Sequence, residues 1–318
     1  MSRLIHVAAA AIFNTRGQLL LALRDEKQHQ GGLWEFPGGK VEASEDVCQA
    51  LARELYEELG IEIDLAATRP LIKVPYHYPD KSVLLDVFCV KGYSGQAYGR
   101  EGQEVRWVKP DQLTEYQFPA ANQPIVNSLL LPQTIAITPQ VVLSEYSAIA
   151  ETAIGNGADW LMLRAKNLSS TAQVQLAAQL KQQLSGRAGL VLNGTVEEGN
   201  LAGIDALHLS SARLQDLQQR QQFNGRWLGA SCHNEVQLER AVSLGLDYVT
   251  LSPVKHTSSH PETPALGWQE FARLANAYPI PVYALGGVGP DDLADCQASG
   301  GQGIAAISAF QKAEQTTG

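Results

Sequence analysis

Cysteine is scarce, four residues in 318, and Cys48, Cys89, Cys232 and Cys296 stand far apart with no C-x-x-C spacing. A disulfide framework finds no support there, and the reduced thiols of a cytoplasmic protein are the expectation. No apolar run is long enough to span a bilayer, so no membrane partner is expected. The opening MSRLIHVAAAAIF lacks a basic region and a separate cleavage site; it reads as a buried strand rather than a signal peptide. Basic clusters are missing too: 24 Lys and Arg face 33 Asp and Glu, for a formal net charge of −9. Direct DNA binding is therefore not expected, because holding a phosphate backbone takes a positive surface. A free nucleotide remains open, since a metal ion and a few cations can neutralise its phosphates.

What is present is a globular composition, 45% hydrophobic, in a chain long enough for two domains. The pattern changes at Leu129-Leu130-Leu131-Pro132-Gln133, which divides residues 1–131 from residues 132–318. In the first part, strands are expected at Leu4 to Phe13, Gln18 to Leu23, Leu71 to Tyr76, Ser82 to Lys91 and Glu104 to Val108, with a short helix from Pro119 to Leu131. These make a compact α/β unit around a mixed sheet.

The stretch Gly38 to Ile61, GGKVEASEDVCQALARELYEELGI, organises that unit. A glycine turn is expected at Gly38-Gly39, then a helix of about four turns with Ser44 as N-cap, Glu45 at its positive end and Gly60 as its stop. Val47, Leu51, Leu55 and Leu59 recur every four residues and must face a core. Glu54, Glu57 and Glu58 form a second stripe. Such a stripe stays in water, takes up protons or holds a hard cation through oxygen ligands, and the neighbouring glycines and Arg53 favour the cation.

Gly39, Glu45 and Arg53-Glu54-Leu55-Tyr56-Glu57-Glu58-Leu59-Gly60-Ile61 resemble the Nudix box with every fixed position filled. The resemblance implies an α/β/α sandwich hydrolysing nucleoside diphosphate derivatives with Mg²⁺, or Mn²⁺ in its place. Three segments narrow it to the MutT-type 8-oxo-dGTP diphosphatases: Phe36-Pro37-Gly38-Gly39-Lys40-Val41-Glu42, Tyr98-Gly99-Arg100-Glu101-Gly102-Gln103 and Phe118-Pro119-Ala120-Ala121-Asn122-Gln123-Pro124-Ile125. On that basis the carbonyl of Gly38 and the carboxylates of Glu54, Glu57, Glu58 and Glu101 would hold metal. Glu54 is the chosen base, with Arg53 beside it, although spacing does not separate the acids' roles. Arg24, His29, Lys40 and the backbone of Glu35, Phe36, Pro37 and Gly38 would line the nucleotide pocket. Asn122 would read the oxidised guanine, or else merely cap the last helix. An amide suits that base because it offers both a donor and an acceptor.

After Pro132 come eight short apolar runs separated by stretches of helical pattern: Thr134 to Thr138, Trp160 to Arg164, Gly189 to Leu192, Ala206 to Leu209, Trp227 to Ser231, Tyr248 to Leu251, Val282 to Leu285 and Ile304 to Ser308. That alternation and count predict a (β/α)₈ TIM barrel with ligands at the C-terminal strand ends. Arg164, Lys166, Asn193, His208, Ser231, His233, Gly286, Gly287 and Ser308 fall there, and Gly286-Gly287 with Ser308 make a candidate phosphate cradle. Met162 to Lys166, Leu228 to His233, Ala284 to Gly287 and Ile307-Ser308 resemble the thiamine-phosphate synthase and thiazole tautomerase family, which implies a thiazole or phosphate ligand. Three departures weaken the synthase reading: Asn193-Gly194 stands where an acidic ligand follows the asparagine, His208 to Arg213 offers no second acid, and the lysine expected in the loop after the sixth strand is replaced near Ser259-His260. Without a carboxylate pair Mg²⁺-pyrophosphate has no cage.

The leading expectation is thus a pyrophosphohydrolase that removes 8-oxo-dGTP from the precursor pool. The alternatives are hydrolysis of another oxidised nucleotide or a thiamine-related diphosphate, and a thiamine-precursor sensor.

Overall fold

The computed structural model describes residues 4–27, 30–79, 81–257 and 262–311. Its main division falls between Leu131 and Pro132, on either side of which lies a compact unit.

The strands of the first unit are β1 (Leu4–Ile12), β2 (Leu19–Leu23), β3 (Trp34–Glu35), β4 (Gly38–Lys40), β5 (Glu62–Ile63), β6 (Thr68–His77), β7 (Ser82–Val90), β8 (Tyr93–Ser94) and β9 (Val105–Val108). Its helices are α1 (Val47–Leu59) and α2 (Gln123–Leu130). The main sheet runs β4-β1-β7-β6; β1 and β7 are parallel and the outer pairings antiparallel, so the sheet is mixed. Ala8, Ala10, Ile12, Phe88 and Val90 pack against Leu51, Leu55 and Leu59 of α1. Ala9, Ala11 and Val87 pack on the other face with Ile125 and Val126 of α2. Both faces of β1 are covered, which is why four successive alanines are all buried and the strand shows no polar alternation.

Two local expectations are corrected. The cap of α1 is Asp46, not Ser44: Asp46 Oδ1 accepts from the amides of Cys48 and Gln49, and Gln49 Oε1 accepts from the Asp46 amide, closing a capping box. Glu45 consequently lies outside the first turn. Gly38-Gly39 is not a turn either. It belongs to β4, whose Gly38 pairs with Ala9 at φ +144°, and a Cβ there would lie 2.1 Å from the Ala8 carbonyl oxygen.

In the second unit β10 (Thr134–Ile137), β11 (Trp160–Leu163), β12 (Gly189–Asn193), β13 (Ala206–Leu209), β14 (Trp227–Cys232), β15 (Tyr248–Leu251), β16 (Val282–Leu285) and β17 (Gly303–Ala306) form a closed parallel barrel. β17 pairs with both β16 and β10, which closes the ring and leaves no sheet edge. Ile307 and Ser308 follow the last strand rather than ending it. No helix among the described residues is long and apolar enough to cross a membrane.

Candidate active site and barrel mouth

Helix α1 carries Glu54, Glu57 and Glu58 under β4. Glu58 turns inward, and its Oε2 accepts from the Gly38 amide at 3.2 Å. Burial pushes its carboxyl up to about 8; the Gly38 amide opposes the shift, and the charges of Glu35, Glu54 and Glu101 add to it. Glu54 lies against Gly39, where a Cβ would fall 2.2 Å from the carboxyl carbon. Arg53 is the hub of the outer acids. It donates to Glu45 at 2.6 and 3.1 Å, to Glu54 at 2.9 Å, to Glu57 at 3.1 Å and to the Lys40 carbonyl at 3.1 Å. These bonds from Arg53, followed by one from the Glu42 amide, hold the Glu45 carboxyl below the usual carboxylate range.

Among the described residues no three acidic, imidazole or thiol side chains are already drawn together to enclose an ion. Arg53 and the Gly38 amide hold the acids instead. The donor chemistry nonetheless fits a hard divalent cation. Four carboxylates influence one another, and a half-buried one among them has its charge disfavoured, so a cation would relieve what Arg53 leaves uncompensated.

The nucleotide-lining candidates divide. Arg24 is bonded to Glu35, whose own carboxyl burial raises against the pull of Arg24. Phe36 and Pro37 are buried, and the Pro37 carbonyl already accepts from the Ala10 amide at 2.8 Å. Lys40 is exposed, and His29 lies outside the described residues. Phe36 stacks on Phe118 with centroids 5.6 Å apart, and the Trp34 amide donates to the Gln117 carbonyl at 2.9 Å. These contacts bring the segment leading to Asn122 against Trp34 and Phe36, just before Gly38. Asn122 is buried and occupies the cap position of α2, yet its side chain makes no capping hydrogen bond. The capping alternative is therefore corrected.

Two residues of the 98–103 segment, given no role in the motif reading, act at this site. Gln103 links the loop carrying Glu101 to α1, through its Nε2 to the Glu58 carbonyl at 3.1 Å and from the Glu101 amide to its Oε1 at 3.0 Å. Arg100 donates to the Tyr56 carbonyl at 2.8 Å and stacks over the Tyr56 ring.

At the barrel mouth Arg164 and Lys166 follow β11, and Asn193 ends β12 in a buried position, paired in register with His208. His208 does not face the mouth. It is 1% exposed, and its Nε2 lies 3.0 Å from the Oγ of half-buried Ser231. His233 is exposed after β14, with Nδ1 2.9 Å from the Ser252 carbonyl, and Ser308 is exposed after β17. Gly286 and Gly287 adopt positive φ, and the 253–256 loop passes where a Cβ on either would lie. Arg213 is the residue missed here. Lys166 is held below the usual lysine range by Arg164 first, then by burial and Arg213, so three cations share this end. Ion pairs among the described barrel residues are made by other cations, such as Lys181 with Asp205 and Arg220 with Asp247.

The family model described as NUDIX domain matches residues 8–128, and that described as thiamine monophosphate synthase matches residues 134–310. An 8-oxo-dGTP diphosphatase of Haemophilus influenzae is 42% identical over 129 residues, 40% of this chain and 93% of the relative. A CTP pyrophosphohydrolase of Escherichia coli is 36% identical over 124 residues, 38% of this chain and 88% of the relative. A putative thiamine-phosphate synthase of Geobacter sulfurreducens is 32% identical over 167 residues, 51% of this chain and 78% of the relative. The chain therefore belongs to both families, its first unit a Nudix hydrolase acting on phosphoric anhydride bonds and its second a closed barrel of the thiamine monophosphate synthase family.

Proposed function

We propose that the first unit hydrolyses 8-oxo-dGTP to 8-oxo-dGMP and pyrophosphate, with Glu54, Glu57, Glu58, Glu101 and the Gly38 carbonyl holding Mg²⁺ or Mn²⁺. The reading rests on one observation above others: a buried asparagine free of capping duty, carried on a segment stacked against Phe36, two residues from the amide that holds Glu58. Nudix hydrolases in general depend on a divalent metal. When bound, such a cation neutralises phosphate charge and lowers the pKa of water. The chain's own residues do the rest. Arg53 orients Glu54, which accepts the proton of the attacking water, and the Gly38 amide fixes Glu58. The Asn122 carboxamide meets the oxidised edge of the base with a donor and an acceptor, and ordinary guanine leaves one of them unpaired. A missing buried hydrogen bond of that kind discriminates by up to about 10⁴-fold.

Pyrophosphate release measured across 8-oxo-dGTP, dGTP and CTP tests this. The expected result is a higher kcat/KM for 8-oxo-dGTP, reduced selectively in Asn122→Ala. The likeness to a CTP pyrophosphohydrolase makes CTP the second reading. Equal efficiency with dGTP would end the first.

For the barrel we infer a phosphate-bearing ligand, a thiamine precursor being the class its family suggests, held by Arg164, Lys166 and Arg213 with Asn193, Gly286, Gly287 and Ser308 around it. What supports metal-free binding is that Arg164 and Arg213 both act on Lys166, although Arg213 also acts on the buried Glu198, and that Asn193-Gly194 and His208 to Arg213 supply no acid at the two positions named above.

A further inference from the structure

The last turn of α1 has carbonyls without helical partners, and the 98–103 loop supplies them. The Tyr98 amide donates to Leu59 at 3.2 Å and the Arg100 amide to Glu58 at 2.9 Å, while the Arg100 guanidinium adds a second bond, at 2.8 Å, to the Tyr56 carbonyl that already accepts from the Gly60 amide. Gln103 adds a contact of another kind. Its carboxamide donates to the Glu58 carbonyl at 3.1 Å while accepting from the Glu101 amide at 3.0 Å. One planar group thus bridges the backbone of a helix acid to the backbone of the loop acid. The loop is shaped to allow it: Gly102 has φ +87°, and a Cβ on Gly99 would fall 1.9 Å from the Gln103 carbonyl oxygen. A second tether reaches the same helix residue from its other end, where the Gly38 amide holds the Glu58 carboxylate.

We infer that Gln103 is a positioning residue for the candidate metal centre, setting the Glu101 carboxylate against those of α1 without touching metal or substrate. The inference rests on the proposed function in taking Glu101 as a ligand. An amide is required because the two partners are a carbonyl and an N–H; a carboxylate accepts but does not donate, and a thioether does neither usefully. Outer partners of metal ligands change affinity by about 10- to 100-fold when removed.

The test is direct titration of the full-length protein with Mn²⁺ in the absence of nucleotide, free Mn²⁺ being followed by its paramagnetic resonance signal. Gln103→Met and Glu101→Gln are compared with the parent, alongside thermal unfolding. The expected result for Gln103→Met is Mn²⁺ affinity weakened about tenfold, with the melting temperature little changed and turnover largely restored at saturating metal. Gln103→Asn keeps both hydrogen-bonding functions on a side chain one methylene shorter; it is expected to weaken Mn²⁺ similarly, and it serves if the methionine variant does not fold. If Glu101→Gln weakens Mn²⁺ binding while the foldable Gln103 variant does not, the positioning role is wrong and the ligand assignment stands. If Glu101→Gln leaves Mn²⁺ affinity unchanged, the ligand assignment falls and the role of Gln103 falls with it.

Discussion

Single residues in this protein are most informative where their neighbours fail to compensate them. His208 sits wholly inside the barrel with Nε2 on Ser231, its Nδ1 buried without a hydrogen-bond partner, and burial lowers its pKa to about 3 from 6.5. Between those values the unfolded chain takes up a proton that the folded chain refuses. Stability is therefore unaffected by this group above pH 6.5 and declines as the pH falls from there towards 3. His208→Gln keeps a hydrogen-bonding side chain and removes the titration. Chemical denaturation from pH 7 to pH 4 is expected to show the variant gaining on the parent below 6.5, by at most about 1.4 kcal/mol per pH unit. A constant difference across that range would show that the imidazole does not stay neutral in the fold. His208 also marks a limit of sequence reading: its position at a strand end suggested a mouth residue, and only the side-chain direction within the barrel distinguishes the two.

Elements were legible in proportion to how strongly burial dictates residue type. The eight barrel strands stood out because a strand covered on both faces must be a short apolar run, and the α1 stripe of Leu51, Leu55 and Leu59 stood out for the same reason. Strand β4 was hidden, since Gly-Gly-Lys carries no apolar alternation and its pairing with β1 is set by backbone approach. The start of α1 slipped by two residues because Ser44 and Asp46 are both good caps, and the Gln49 partner decides between them. Of the candidate site, the acids of α1 were picked out by spacing and Glu101 by resemblance, whereas Gln103 and Arg213 lay in quoted segments without a role, because a single polar side chain has no period. The two glycines of β4 give the test at this scale. A methyl on Gly38 meets the Ala8 backbone, which cannot yield, so Gly38→Ala is expected to lose stability. A methyl on Gly39 meets only the end of the Glu54 side chain, which swings away at little cost. Gly39→Ala should then melt close to the parent and lose about 10²-fold in kcat, the order expected when a catalytic group is displaced by about 1 Å. If the two variants behave alike in both melting and turnover, Glu54 is not held by β4.

At the scale of the molecule, an acidic chain of net charge −9 places three cations at one barrel mouth and a set of carboxylates on one helix of the other unit. The two cores of the first unit are built entirely from residues before Pro132, and the barrel closes on itself through β10 and β17. The two activities should accordingly separate by mutation. Inorganic phosphate titrated calorimetrically into the full-length protein with EDTA present reports on the barrel, because a metal-free cluster of carboxylates repels the anion. Binding is expected under those conditions, and Arg213→Glu is expected to abolish it while leaving nucleotide hydrolysis by the first unit within about twofold of the parent, as for sites that share no hydrogen-bonding partners. Absence of phosphate binding in EDTA would overturn the reading of Arg213 as a substitute for a metal cage in the barrel.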